Sequence, residues 1–333
     1  MKTTPLLLCA LLPLVAEAGN ATFSADGKAL YLLPLSEGDS VYKVDPATKK
    51  HLAVQPIKNL GKDTIKSVAR NPQGEILLCT GKSIWIWSGT EAPAKKWLDL
   101  PEKFQCLDIS CTIAKDTVPT GTVFLHGTRQ DEDRFSLLTW SAQKQTWLEV
   151  FCRRNEPYAP PQTNASGRMF FASDADLWEG TMIAEAAEDD DITIAGSMEG
   201  CRIAPLAMLN ADSGNSGGMI VGEVVAAGSH IFSLLEGRHM GALLQTPAPA
   251  KPLYADAESN EHPDLAVQYK LMQDSLAQTK IHYSGGPCDA LCVHETSPSE
   301  YQVFWRQDHE GDRAWMWMNA SQLTKKIGTE PAE

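Results

Sequence analysis

Past its first 18 residues, the chain has no apolar run of the roughly 18 residues that a membrane-crossing helix needs. Basic residues are scarce: 29 Lys+Arg stand against 42 Asp+Glu, for a net charge of −13. A field of that sign repels phosphate backbones, so nucleic acid is not an expected partner. There is no G-x-G-x-x-G, Walker segment, H-E-x-x-H, G-x-S-x-G or sialidase-type S-x-D-x-G-x-x-W. No cofactor is therefore expected. A metal is not expected either, because the C-x₃-C and C-x₄-C pairs lie far apart with no paired His beside them. The acidic clusters Asp131-Glu132-Asp133 and Glu185 with Glu188 to Asp191 lack the D-x-D-x-D-G spacing of a calcium loop and read as solvated loops. Disorder is excluded by the balance of 43% hydrophobic and 21% charged residues.

The N-terminus carries an address. Lys2 gives a positive start, Pro5 to Val15 is apolar, and Ala16-Glu17-Ala18 is an A-x-A site. Residues 1–18 thus read as a secretory signal cleaved to leave Gly19, and the mature chain is expected to be exported, to a periplasm or beyond the cell. Cys9 is not a lipidation site, since Leu8 stands where a small residue is needed. Loss of Cys9 with the signal leaves seven cysteines: Cys79, Cys106, Cys111, Cys152, Cys201, Cys288 and Cys292. An odd count leaves at least one free thiol, and Cys288 with Cys292 is the best local disulfide pair.

The dominant pattern is alternation with a period of two. Ser83-Ile84-Trp85-Ile86-Trp87-Ser88 puts both Trp on one face of a strand and both Ile on the other, and Arg313 to Met318 does the same with Trp and Met. Strands apolar on both faces are buried on both faces, so both Trp85 and Trp87 are expected in a core between sheets. Six segments repeat one order of turn, apolar strand, turn and aromatic-rich strand. The turns are Ala25-Asp26-Gly27, Pro72-Gln73-Gly74, Pro119-Thr120-Gly121, Ala165-Ser166-Gly167, Ser216-Gly217-Gly218 and Gly285-Gly286-Pro287. The expected strands after these turns are 29–33, 75–80, 122–126, 168–172, 219–224 and 289–294. Each is followed by another, at 41–45, 83–88, 135–141, 177–182, 230–236 and 301–306. The spacing, about 40–50 residues, is that of a four-stranded propeller blade.

One segment adds a resemblance. Phe23-Ser24-Ala25-Asp26-Gly27-Lys28-Ala29-Leu30-Tyr31-Leu32-Leu33 resembles the F-S-P-D-G-x-x-L-Y-V opening of WD40-like and lactonase-like (YVTN-type) propeller blades. Ala25 in place of Pro is the departure. The resemblance implies an all-β fold: a single propeller over 19–325, with a tail at 326–333. Six blades are expected, or seven if the long gap hides one. That gap, 246–283, is expected to hold a helical or irregular insertion, with Leu265, Leu271, Met272 and Leu276 at helical spacing; the alternative is a degenerate blade from Leu265.

Chemistry is sparser. Gly214-Asn215-Ser216-Gly217-Gly218 resembles the nucleophile segment of trypsin-like serine proteases. That family also needs an upstream His, and neither His51 nor His126 lies in the small-residue setting of that base. Ser216 reads as part of a blade turn. His230, His282 and His294 stand singly on or near expected strands. The nine Trp suit either a core or a sugar-stacking surface, and their places in strand patterns favour the core. No catalytic, cofactor or metal residue is assigned. The leading expectation is a binding module or scaffold for a protein, glycan or small-molecule ligand. The alternatives are a lactonase-like propeller hydrolase and, more remotely, a trypsin-like protease.

Overall fold

The computed structural model describes residues 20–34, 38–45, 48, 50–61, 63–89, 91–112, 118–130, 134–152, 157–163, 167–173, 176–184, 194–205, 218–221, 224–227, 230–233, 238–241, 285–297, 300–309, 312–319 and 325–329. Among them are 24 β-strands and no α-helix. The strands come in fours, each four an antiparallel meander. The first holds β1 (Ala21–Phe23), β2 (Leu30–Leu32), β3 (Ser40–Asp45) and β4 (Lys50–Pro56). The second holds β5 (Ile65–Arg70), β6 (Ile76–Thr80), β7 (Ser83–Trp87) and β8 (Lys95–Asp99). The third holds β9 (Phe104–Cys111), β10 (Val123–Arg129), β11 (Arg134–Ser141) and β12 (Thr146–Cys152). The fourth holds β13 (Pro157–Thr163), β14 (Met169–Ser173), β15 (Asp176–Ala184) and β16 (Ile194–Pro205). The fifth holds β17 (Gly218–Val221), β18 (Val224–Ala227), β19 (His230–Ser233) and β20 (Arg238–Gly241). The last holds β21 (Gly285–Ser297), β22 (Glu300–His309), β23 (Asp312–Asn319) and β24 (Lys325–Thr329).

The first strands of successive meanders pack side by side: β1 on β5, β5 on β9, β9 on β13, β13 on β17, β17 on β21 and β21 back on β1. This is the layout of a β-propeller. The third and fourth meanders are also joined at their outer edges, where β12 and β16 pair in parallel through Glu149↔Ile194 and Cys152↔Met198. That pairing covers two edges that would otherwise offer unpaired backbone groups.

Strand β7 shows why the sheets stack. Its Trp face packs with Tyr31, Val41, Val68 and Leu78, and its Ile face with Leu125, Leu138 and Ile109. One strand thus serves the interfaces to both neighbouring meanders. Trp87 is 1% exposed and meets Tyr31 edge to face, ring centroids 5.2 Å apart at 72°. Trp85 departs from the expectation of full burial. It is half-buried against the same cluster, with its indole Nε1 donating to Ser83 Oγ at 2.9 Å. The polar indole edge keeps that end of the ring beside a hydroxyl rather than deep in the apolar layer.

The expected strands fall close to β2, β6, β10 and β14, and to β3, β7, β11 and β15. Three differences have physical causes. First, β1, β5, β9 and β13 have no counterpart among the expected strands: β1 is only three residues long, and the others carry Ser67, Asp108 and Ser110, or three prolines, which break the apolar pattern of a strand. Second, the run expected over 219–224 is a hairpin of β17 and β18 in which Val221 pairs with Val224, because Gly222-Glu223 interrupts it. Third, in the last unit the expected strand over 289–294 is the first of its meander, and Gly285-Gly286-Pro287 lies inside β21. The final meander also runs past 325, since β24 continues to Thr329 where a tail was expected. Residues 1–18, the segment 246–283, Ser216 and both acidic clusters lie outside the described residues.

Candidate functional site at the mouth of the central channel

The first strands are tied together by buried polar groups. Ser67 Oγ of β5 donates to Asp108 Oδ1 of β9 at 2.8 Å, and the Ile109 N–H donates to the same carboxylate oxygen at 2.7 Å. Ser110 Oγ of β9 donates to the Pro161 carbonyl of β13 at 2.6 Å. His126 Nε2 of β10 lies 3.0 Å from the Pro157 carbonyl of β13. A carbonyl only accepts, so Nε2 carries the proton. Burial holds the His126 pKa down at about 4, so the ring is neutral. These groups are committed to joining sheets.

The first strands β1, β5 and β9 each run into a turn singled out from the sequence. In the first turn, Gly27 N–H donates to Ser24 O at 3.0 Å and Ser24 Oγ donates to Asp26 Oδ1 at 2.7 Å. The second turn repeats this plan: Gly74 N–H donates to Asn71 O at 2.9 Å and Glu75 N–H to Asn71 Oδ1 at 2.8 Å. Gly27 and Gly74 have φ of +67° and +83°, where a side chain is strained. Both also sit in contact. A Cβ on Gly74 would fall 2.5 Å from Ala25 Cβ, and one on Gly27 would fall 2.4 Å from the His294 ring. The turn of the second meander therefore rests on that of the first, and the first rests on the last meander's β21. A Cβ on Gly121 would likewise lie 3.9 Å from Pro72 Cγ, so the first three turns form one arc of a rim.

Inside the rim, Arg70 ends β5. Its Nη1 donates to Ser24 O at 3.0 Å and lies 3.2 Å from His294 Nδ1. Guanidinium only donates, so Nδ1 is the acceptor and the imidazole proton sits on Nε2. Burial first, and the Arg70 charge second, lower the His294 pKa and keep the ring neutral. Asp26 stays ionised, its pKa lowered chiefly by the Ser24 hydroxyl. Below these residues a cavity of about 80 Å³ opens where five meanders meet, lined among others by Thr22, Arg70, Cys111, Thr163 and Cys292. Burial pushes the Cys111 thiol up to about 12 and raises that of Cys292, so both are protonated at neutral pH.

The structure places the residues considered in the sequence as follows. His294 is not solitary: it joins Arg70 across the first, second and last meanders. Sequence reading missed Arg70, whose only signal is its place just before the Asn71–Glu75 turn. Cys288 and Cys292 both lie on β21; Cys292 is a free, buried thiol, and the side chain of Cys288 is outside the described residues. Cys106 and Cys111, both on β9, are also free and buried.

No protein-family model and no curated protein matches the chain. Among solved structures, one similar to it is a protein of unknown function from Bacteroides caccae, at 10% identity over 85% of this chain and 87% of that chain, TM-score 0.40. A second is a chain of the mitotic checkpoint complex, at 9% identity over 81% and 78%, TM-score 0.39. A third is the WD40 domain of SCAP from fission yeast, at 8% identity over 89% and 61%, TM-score 0.32.

The described part of the mouth thus presents a guanidinium, a neutral imidazole, a carboxylate and the backbone turns that carry them. His294 does not stand open as a base, because Arg70 occupies Nδ1 and the Gly27 turn covers the ring.

Proposed function

We propose that the chain is a single six-bladed propeller, exported after cleavage behind Ala18, that acts as a binding module or scaffold. The observation that carries this reading is the rim: the turns of the first three meanders rest on one another through glycine contacts, and Asp26, Lys28 and Gln73 are exposed on them. A partner meets a surface whose shape is set before it arrives, which lowers the ordering cost of binding. Six meanders whose first strands pack in a closed cycle support the blade number.

The test uses surface variants of the full protein. Lys28→Glu and Gln73→Trp alter the rim; Lys82→Glu and Lys103→Glu alter the opposite ends of the strands. Proteins co-purifying from the native host are quantified for each variant. Loss of the same partner in the rim set alone supports the reading. Equal retention in both sets refutes it. Export is checked separately: sequencing of secreted protein is expected to begin at Gly19, and an intact Met1 on exported material overturns the signal assignment.

A further inference from the structure

Trp97 departs from the pattern of the buried tryptophans. Trp87, Trp178 and Trp305 are fully buried, whereas Trp97, on the outer strand β8, is 40% exposed. Beside it a groove of about 670 Å³ runs between β8 and the third meander, lined by Trp97, Trp140, Thr120, Thr122 and Gln145 among others. Trp140 is held from one side by Trp147, edge to face at 5.3 Å and 64°. Trp147 is itself fixed by its Nε1 donating to the Asp99 carbonyl at 2.8 Å. One ring is therefore clamped and a second stands open across the same groove. The volume lies within the range of about 300–1,000 Å³ common for small-ligand sites.

We propose that this groove binds a neutral saccharide chain. Among the described residues the lining carries no Lys, Arg, Asp or Glu, so a charged ligand finds no counter-charge in it, and the net charge of −13 disfavours anions further. What the lining does offer is alternation: two indole rings, two threonine hydroxyls and one amide. A pyranose ring has that same split, an apolar C–H face that lies on an aromatic plane and a rim of hydroxyls that exchange hydrogen bonds. Thr122 Oγ1 donates to Pro119 O at 2.7 Å, which leaves its oxygen to accept from a sugar hydroxyl. Gln145 Nε2 donates to Ala142 O, leaving the amide oxygen and one N–H for a ligand. An apolar side chain seated here would cover these polar atoms without matching them, whereas a sugar ring brings hydroxyls that match them. The groove shares Pro119 to Thr122 with the third turn, while Trp97, Trp140 and Gln145 lie outside the turns that follow the first strands; sugar binding there does not rest on the reading above.

The test is calorimetric titration of the full protein with cellotetraose, laminaritetraose, mannotetraose and chitotetraose, read in parallel by tryptophan fluorescence. At least one sugar is expected to bind with a Kd between about 10 μM and 1 mM. Trp97→Ala is expected to weaken that binding about tenfold or more with an unchanged melting temperature, and Trp97→Phe to retain most of it. Thr120→Arg, at an exposed turn position, blocks the groove without touching Trp97 and is expected to abolish binding. The proposal is overturned if none of the four sugars binds at about 10 mM, or if Trp97→Ala and Thr120→Arg both bind like wild type. It is equally overturned if a proline-rich decapeptide binds at Trp97 and no sugar does.

Discussion

The inner ring and the layer outside it are held by different forces. Around the channel, neighbouring sheets are joined by buried polar contacts: Ser67 to Asp108, Ser110 to Pro161, His126 to Pro157, Arg70 to His294. Further out, aromatic and aliphatic side chains fill the gaps: Trp87 on Tyr31 between the first and second sheets, Leu77 and Ile84 with Leu125 and Leu138 between the second and third, Phe124 and Val150 with Phe171 and Trp178 between the third and fourth. Hydrogen bonds are directional and contribute about 0.5–1.5 kcal/mol each. Apolar burial is not directional and contributes several-fold more per large side chain. The contrast teaches a division of labour. The outer layer supplies most of the stability, and the inner ring sets how each sheet sits against the next.

The sharpest way to break that division is at Trp87. Trp87→Ala is expected to cost about 3–5 kcal/mol in denaturant melts, because the neighbouring sheets cannot collapse into the void. Trp85→Ala, already half-solvated, is expected to cost clearly less. Equal losses would show that the outer layer does not depend on full burial.

The next effect belongs to the inner ring and depends on pH. The His126 pKa is held at about 4, below the ordinary value of 6.5. The unfolded chain takes up a proton below about pH 6.5, while the folded chain resists until about pH 4. Stability is thus complete above pH 6.5 and declines as pH falls through this window, by up to about 3 kcal/mol at 1.36 kcal/mol per pKa unit. Stability measured against pH should show the decline, and His126→Gln should flatten it. An unchanged slope in that variant would remove His126 from the account.

Asp108→Ala comes third. It leaves the Ser67 hydroxyl and the Ile109 N–H without their carboxylate, at an expected loss of about 1–3 kcal/mol, measured by chemical denaturation. A loss as large as that of Trp87→Ala would place the main stabilisation in the ring and reverse the comparison. The smallest effect is a difference between two glycines with nearly the same backbone. Gly27 and Gly61 have φ of +67° and +69°, but a Cβ meets His294 only at Gly27 and open space at Gly61. Each Ala variant carries the backbone strain of about 1–2 kcal/mol, and Gly27→Ala should lose more than Gly61→Ala. Matching melting temperatures would mean that the rim contact yields without cost.

The outer layer was legible in the sequence and the inner ring was not. Ile84-Trp85-Ile86-Trp87 announces a strand with two apolar faces, and its two faces do meet different clusters. The turns at Gly27 and Gly74 were visible because their spacing and residue types repeat. By contrast, Phe104-Gln105-Cys106-Leu107-Asp108-Ile109-Ser110-Cys111 mixes buried polar with apolar residues, since its polar groups are matched by partners 41 and 51 residues away. No local pattern records such a partner. For the same reason the candidate site stayed hidden: Arg70 and His294 are 224 residues apart and neither lies in a motif. Trp97 hid differently, because alternation in Lys95–Asp99 does not say which outer strand is left uncovered.

The seam between the first and last meanders also bears on how the molecule assembles. Each meander is one contiguous stretch, so its strands meet through short loops and form early. The Arg306 guanidinium, by contrast, donates to the Leu33 carbonyl at 2.8 Å across 273 residues of chain. Closing a loop of that length carries the largest chain-entropy cost in the molecule, yet the cost grows only with the logarithm of length. Once the intervening sheets have stacked, most of that entropy is already lost, and the ends of the arc arrive close together. Ring closure is then a late step with a small remaining barrier, and the seam is where the folded ring would first reopen under load.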